Sequence, residues 1–65
     1  MNKLLRAKRV ITGIKQNEIA KYLGIGVNSY SFKETGKKNF TQIEIKKLID
    51  FFDLTPEETI SIFFS

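Results

Sequence analysis

The chain of 65 residues holds no Cys and no His. That removes the usual zinc ligands, thiol nucleophiles and imidazole bases. No Gly-rich phosphate loop and no cluster of acids stands in their place, so the residues offer little from which to build an enzyme's active site. The chemistry that remains lies in the cations. Residues 1–38 carry nine Lys or Arg (3, 6, 8, 9, 15, 21, 33, 37 and 38) against Glu18 and Glu34, a net of +7. Residues 39–65 carry Lys46 and Lys47 against Glu44, Asp50, Asp53, Glu57 and Glu58, a net of −3. The whole chain is +4. A basic half joined to an acidic half implies one face made for a polyanion.

Those cations need a scaffold, and the pattern supplies helices. Hydrophobic residues make up 42%, enough for one core and too many for a disordered chain. The length implies one domain, spanning 1–65. A first helix is expected from about Lys3 to Ile11, capped by Asn2 and ended by Gly13, with an apolar stripe of Leu4, Leu5, Ala7, Val10 and Ile11. A second covers about Gln16 to Leu23 and stops at Gly24. A third covers about Val27 to Thr35 and stops at Gly36. The fourth opens on the capping box Thr41-Gln42-Ile43-Glu44 and carries Ile45, Leu48, Ile49 and Phe52 on one face. The fifth opens on Thr55-Pro56-Glu57-Glu58, with a cap, Pro at the first position and acids against the dipole. The expected fold is all-α, a compact bundle of five short helices. No segment is apolar for long enough to span a bilayer, and charges interrupt the start MNKLLRAKRV too soon for a signal peptide. The chain therefore reads as cytoplasmic.

The stretch from Gln16 to Gly36 is the informative one. Two short helices meet at Gly24, Ala20 permits close approach, and Ile19, Leu23, Ile25 and Tyr30 fill the angle between them. A helix-turn-helix has these physical requirements; its first helix crosses the DNA backbone and its second enters the major groove. At these residues the chain resembles the Cro/CI-type, or XRE, family of phage repressors and bacterial regulators, in a fold of the lambda-repressor kind. The likeness begins at AKRV (7–10) and takes in Gly13, Gln16, the string Ile19-Ala20-x-x-Leu23-Gly24-Ile25 and Glu34-x-Gly36-Lys37. It continues through LIDFFDLTPEE (48–58).

The resemblance implies double-stranded DNA as partner, no cofactor, no metal and no membrane. It implies a transcriptional regulator, a repressor or Cro-like protein of a bacterium, phage or mobile element. The alternative is a protein-interaction module on the same fold, antirepressor-like or antitoxin-like. By resemblance, Val27, Asn28, Ser29 and Phe32 are the base-reading residues. Asn28 suits adenine N6 and N7, Ser29 suits several base edges, and Val27 and Phe32 suit a thymine methyl. With no Arg to read guanine, an A/T-leaning half-site is expected. Gln16, Lys15, Lys37, Lys38 and Arg6 are phosphate candidates, with Lys3, Lys8 and the backbone amides of the loop at Lys37 behind them. Arg9 and Glu34 resemble a structural ion pair of the family. Ile60, Phe63 and Phe64, with Ile62, form an apolar cluster that would serve a homodimer through the last helix.

Three positions depart from the family pattern. Lys15 stands where Thr, Ser or Asn usually caps the second helix. Gly26 stands where Ser or Thr often caps the third. Lys33 replaces an apolar anchor, and its stem is expected to cover core surface while its ammonium reaches water. The chain lacks the oligomerisation or protease-like domain of full-length CI-type repressors, which makes it Cro-sized or a fragment.

Overall fold

The computed structural model describes residues 3–64. Five α-helices follow in order among them: α1 (Leu4–Ile11), α2 (Gln16–Leu23), α3 (Val27–Glu34), α4 (Gln42–Phe52) and α5 (Pro56–Phe63), with no strand in the described residues. Asn2, the expected cap of the first helix, lies outside the described residues; Lys3 holds the cap position, without a side-chain bond.

Local chemistry explains where most of these helices begin and end. At α4, Thr41 Oγ1 accepts the Glu44 N–H at 3.2 Å and the Glu44 carboxylate accepts the Thr41 N–H at 2.9 Å. At α5, Thr55 and Glu58 repeat the exchange at 3.1 and 2.9 Å. Each box satisfies two backbone donors that a helix start would leave orphaned. Lys15 has only donors on its side chain, so half a box remains at α2: the Glu18 carboxylate accepts the Lys15 N–H at 3.1 Å. Gly24 closes α2 at φ 76°, a left-handed backbone that Gly adopts without a Cβ penalty. Asp53 closes α4 in the same region, at φ 53°. The following Leu54 N–H reaches back to the Ile49 carbonyl at 3.0 Å, which turns the Leu54 side chain into the core.

The core consists of Leu5, Ile19, Ala20, Leu23, Tyr30, Leu48, Phe52 and Leu54, all buried. Burial of each large aliphatic side chain contributes on the order of 1.5–3 kcal/mol. Half-buried Ile14, Ile25, Phe40, Ile49, Ile62 and Phe63 pack around them. Phe40 sits between Tyr30 and Phe63, with ring centroids 6.1 and 5.6 Å away. Tyr22 and Phe51, 4.9 Å apart, join α2 to α4 at the surface.

The expected stripe on α1 is corrected. Of its five residues only Leu5 is buried; Leu4 is 50%, Val10 55% and Ile11 82% exposed, and Ala7 is exposed too. The reason is rotational. Leu5 and Arg9, one turn apart, form the inward row, because Arg9 must reach Glu34. Leu4, Ala7 and Ile11 therefore fall on a neighbouring row that borders α5.

Candidate nucleic-acid interface

Tyr30 and Glu34, one turn apart on α3, are both buried and define its inward row. The rest of α3 follows from them. Val27, Asn28 and Phe32 are exposed and Ser29 is half-buried. The expected reading residues thus lie on the side of α3 turned away from the core.

Beneath that side the helix is tied down by one carboxylate. Arg9 Nε donates to Glu34 Oε2 at 2.8 Å and Arg9 Nη2 to Oε1 at 3.2 Å, a two-pronged pair. Gln16 Nε2 donates to Oε1 at 3.1 Å, and the Tyr30 hydroxyl donates to Oε2 at 2.7 Å. The third guanidinium nitrogen, Nη1, donates to the Ile14 carbonyl at 3.0 Å. So α1, the turn before α2, α2 itself and α3 converge on Glu34. Burial alone pushes the Glu34 carboxyl up, but the bonds from Arg9, Tyr30 and Gln16 outweigh it and hold the group below the usual carboxylate range. Burial, with the bond to Glu34, raises the Tyr30 phenol well above its ordinary value.

The loop after α3 is folded back onto the helix. The Lys37 and Lys38 N–H groups both donate to the Phe32 carbonyl, at 2.8 and 3.2 Å. Thr35 N–H donates to Ser31 and Gly36 N–H to Lys33. The amides expected to bond phosphate are therefore engaged within the protein, because the chain must reverse direction here. The Lys37 and Lys38 ammonium groups sit over the Phe32 ring, 5.6 and 5.8 Å from its centroid.

The remaining candidates scatter. Lys3, Arg6 and Lys15 are exposed. The Lys8 ammonium pairs with Glu58 at 3.0 Å, across to α5. Lys33 is corrected. Its ammonium is turned onto both oxygens of Glu44, at 2.7 and 2.8 Å, with the two side chains 13% and 10% exposed. Burial would raise the Glu44 carboxyl; the bonds from Lys33 and Thr41 bring it below its ordinary range. The Lys33–Glu44 pair and the Tyr30 bond to Glu34 were not anticipated from sequence. Lys33 and Glu44 lie on different helices, where no local spacing announces the pair; Tyr30 and Glu34 are one turn apart, but the tyrosine was read for its apolar ring and not for its hydroxyl.

At the last helix, Ile60 and Phe64 are exposed, at 58% and 67%, whereas Phe63 is half-buried against Phe40 and Ile62 is half-buried on the core. Among the described residues no group of His, Cys, Asp or Glu is placed to hold a metal ion. No helix of the described residues is long and apolar enough to cross a membrane.

A family model described as helix-turn-helix matches residues 5–59. No curated protein and no solved structure matches the chain.

Proposed function

Because the chain belongs to the Cro/CI-type helix-turn-helix family of DNA-binding regulatory proteins, we propose that α3 reads the major groove of an operator and that occupancy regulates transcription, by occluding a promoter or by recruiting polymerase. The observation that carries this reading is the bracing of α3. Three hydrogen bonds to Glu34, two from Arg9 and one from Gln16, hold the helix from beneath, while Val27, Asn28 and Ser29 stand on its far side. A rigid reading helix lets base contacts form without further ordering cost.

In this arrangement Asn28 and Ser29 make the hydrogen bonds to base edges and Val27 meets a thymine methyl, which favours A/T-rich half-sites. Gln16 keeps one amide N–H on Glu34 and offers the other to a phosphate. Lys15, Lys37, Lys38 and Arg6 add phosphate contacts, which fix register and strengthen binding without reading sequence. The proposed functional form is a homodimer through α5, with Ile60 and Phe64 at the contact, so that two copies of α3 meet successive major grooves. Its proposed place is a bacterial cytoplasm.

The test is a titration of labelled duplex from the DNA upstream of the protein's own reading frame, beside a scrambled duplex, over a series of salt concentrations. Tighter binding to the natural sequence, with log K falling linearly against log salt, supports the reading. A second reading rests on the exposed Val27 and Phe32, at 43% and 41%, which would also suit an apolar protein partner. Such binding would not weaken with salt. Absence of DNA binding at low salt by folded protein would refute the operator reading and favour this second one.

A further inference from the structure

Phe32 was expected to read bases, yet its surroundings give it a different task. Its carbonyl accepts the N–H of both Lys37 and Lys38, and the Thr35 hydroxyl as well, at 2.8, 3.2 and 3.2 Å. Its ring lies under both lysine ammonium groups, at 5.6 and 5.8 Å. One residue therefore sets the backbone of two consecutive lysines and also attracts the far ends of their side chains. A ring face carries negative charge density and holds a cation within about 6 Å. Each ammonium held there is a positive charge placed beside α3, and a phosphate reaching the ring meets both.

Resting on the DNA-binding reading above, we propose that Phe32 is a positioning residue for the DNA backbone: its ring is the platform that holds the Lys37 and Lys38 ammonium groups ready for a phosphate beside the groove that α3 enters. A free lysine loses rotamer freedom when it meets a phosphate; one already held on a ring loses less. The platform thus strengthens binding to every sequence alike. It also ties the phosphate contact to α3 itself, since Phe32 belongs to the reading helix and the lysines to the loop that follows.

The experiment is a double-mutant cycle on a mixed-sequence duplex at low salt, where binding is electrostatic and needs no known operator. The proteins are the unmodified chain, Phe32→Leu, Phe32→Tyr, Lys37→Gln with Lys38→Gln, and that pair combined with Phe32→Leu. Thermal melts confirm that each is folded. Phe32→Leu keeps apolar bulk but loses the ring, and is expected to weaken binding about threefold to tenfold. Phe32→Tyr retains a ring and stays within about twofold. In the background without the two lysines, Phe32→Leu brings no further loss. In the free protein, the lysine ε-methylene protons are shifted upfield by the ring, and Phe32→Leu abolishes the shift. Unchanged binding of Phe32→Leu to the mixed duplex overturns the proposal, as do losses that simply add across the cycle. If the unmodified protein binds no duplex at low salt, the DNA-binding reading itself falls, and this proposal with it; additive losses in a protein that does bind overturn the platform alone.

Discussion

Glu34 shows how a single buried charge becomes the hinge point of a small protein. Its side chain is 2% exposed and is satisfied by Arg9, Gln16 and Tyr30 together. Glu34→Ala would strand a guanidinium and a buried phenol, at a cost on the order of 3–5 kcal/mol. A chain of this length has a total stability of roughly 3–10 kcal/mol, so the variant is expected to be largely unfolded or close to it in urea titration. The same group sets a pH dependence. Glu34 and Glu44 both titrate lower in the folded chain than in the unfolded one, where a glutamate has a pKa of about 4.3. The stability they contribute is therefore fully present above that value and is lost as pH falls through the lower, folded-state values. With no His in the chain, no side chain of ordinary pKa titrates between roughly pH 5 and 8. The expected profile is a plateau around neutrality and a decline in acid, and Glu34→Gln should make the decline shallower. Melting temperature against pH for the two proteins checks it; an equally steep acid limb in the variant would remove Glu34 from the account.

At the scale of elements, two glycines two residues apart make opposite predictions. Gly24 has φ 76° and Gly26 has φ −70°, ψ 154°, and an added Cβ meets no atom within 4 Å at either. Space is therefore not the issue; backbone conformation is. Gly24→Ala is expected to destabilise by about 1–2 kcal/mol, because the left-handed region crowds a Cβ. Gly26→Ser is expected to stabilise by about 0.5–1 kcal/mol, by supplying the missing cap of α3 and stiffening the unfolded chain. Thermal melts of the two variants decide both signs. These features lie near the limit of what sequence makes legible. Gly24 and Gly36 marked the ends of α2 and α3, and the capping boxes the starts of α4 and α5, because each is decided by the few residues around it; the left-handed Asp53 that ends α4 carried no such mark. The inward row of Tyr30 and Glu34 made the outward side of α3 legible as well. What lay beyond reading was pairing across the fold. The apolar residues of α1 pointed to a wide stripe, but Arg9 turned the helix until only Leu5 faced inward. Likewise Lys33 looked like a surface cation until Glu44, eleven positions on, came within 2.7 Å. Replacing Lys33 with Leu should strand Glu44 at a cost on the order of 1–3 kcal/mol. Adding Glu44→Gln, which keeps the capping box, should recover most of that loss. Urea unfolding of the two single variants and the double variant measures the coupling, and purely additive effects would refute it.

At the scale of the whole molecule, the two partners proposed for the chain call on different forces. DNA contacts come from the basic half and are weakened by salt, whereas the α5 contact would be apolar and indifferent to salt. Ile60 lies on α5 and Phe64 directly follows it, both exposed, and the Phe64 N–H donates to the Ile60 carbonyl at 2.9 Å, which keeps the two residues near each other at the end of the helix. For a dimer through these residues to meet one side of the duplex, its two reading helices must lie about 34 Å apart, one turn of DNA. The second half-site then binds as an intramolecular event, and its effective concentration multiplies a weak single-site affinity. Ile60→Asp places a charge in that apolar contact without touching α3. It is expected to abolish sedimentation of the free protein as a dimer and to weaken binding to a two-half-site duplex by at least about tenfold. Binding to a duplex carrying one half-site should be unchanged. If the unmodified protein sediments as a monomer, bound and free, or if Ile60→Asp weakens both duplexes equally, α5 is not the dimer contact and each reading helix acts alone.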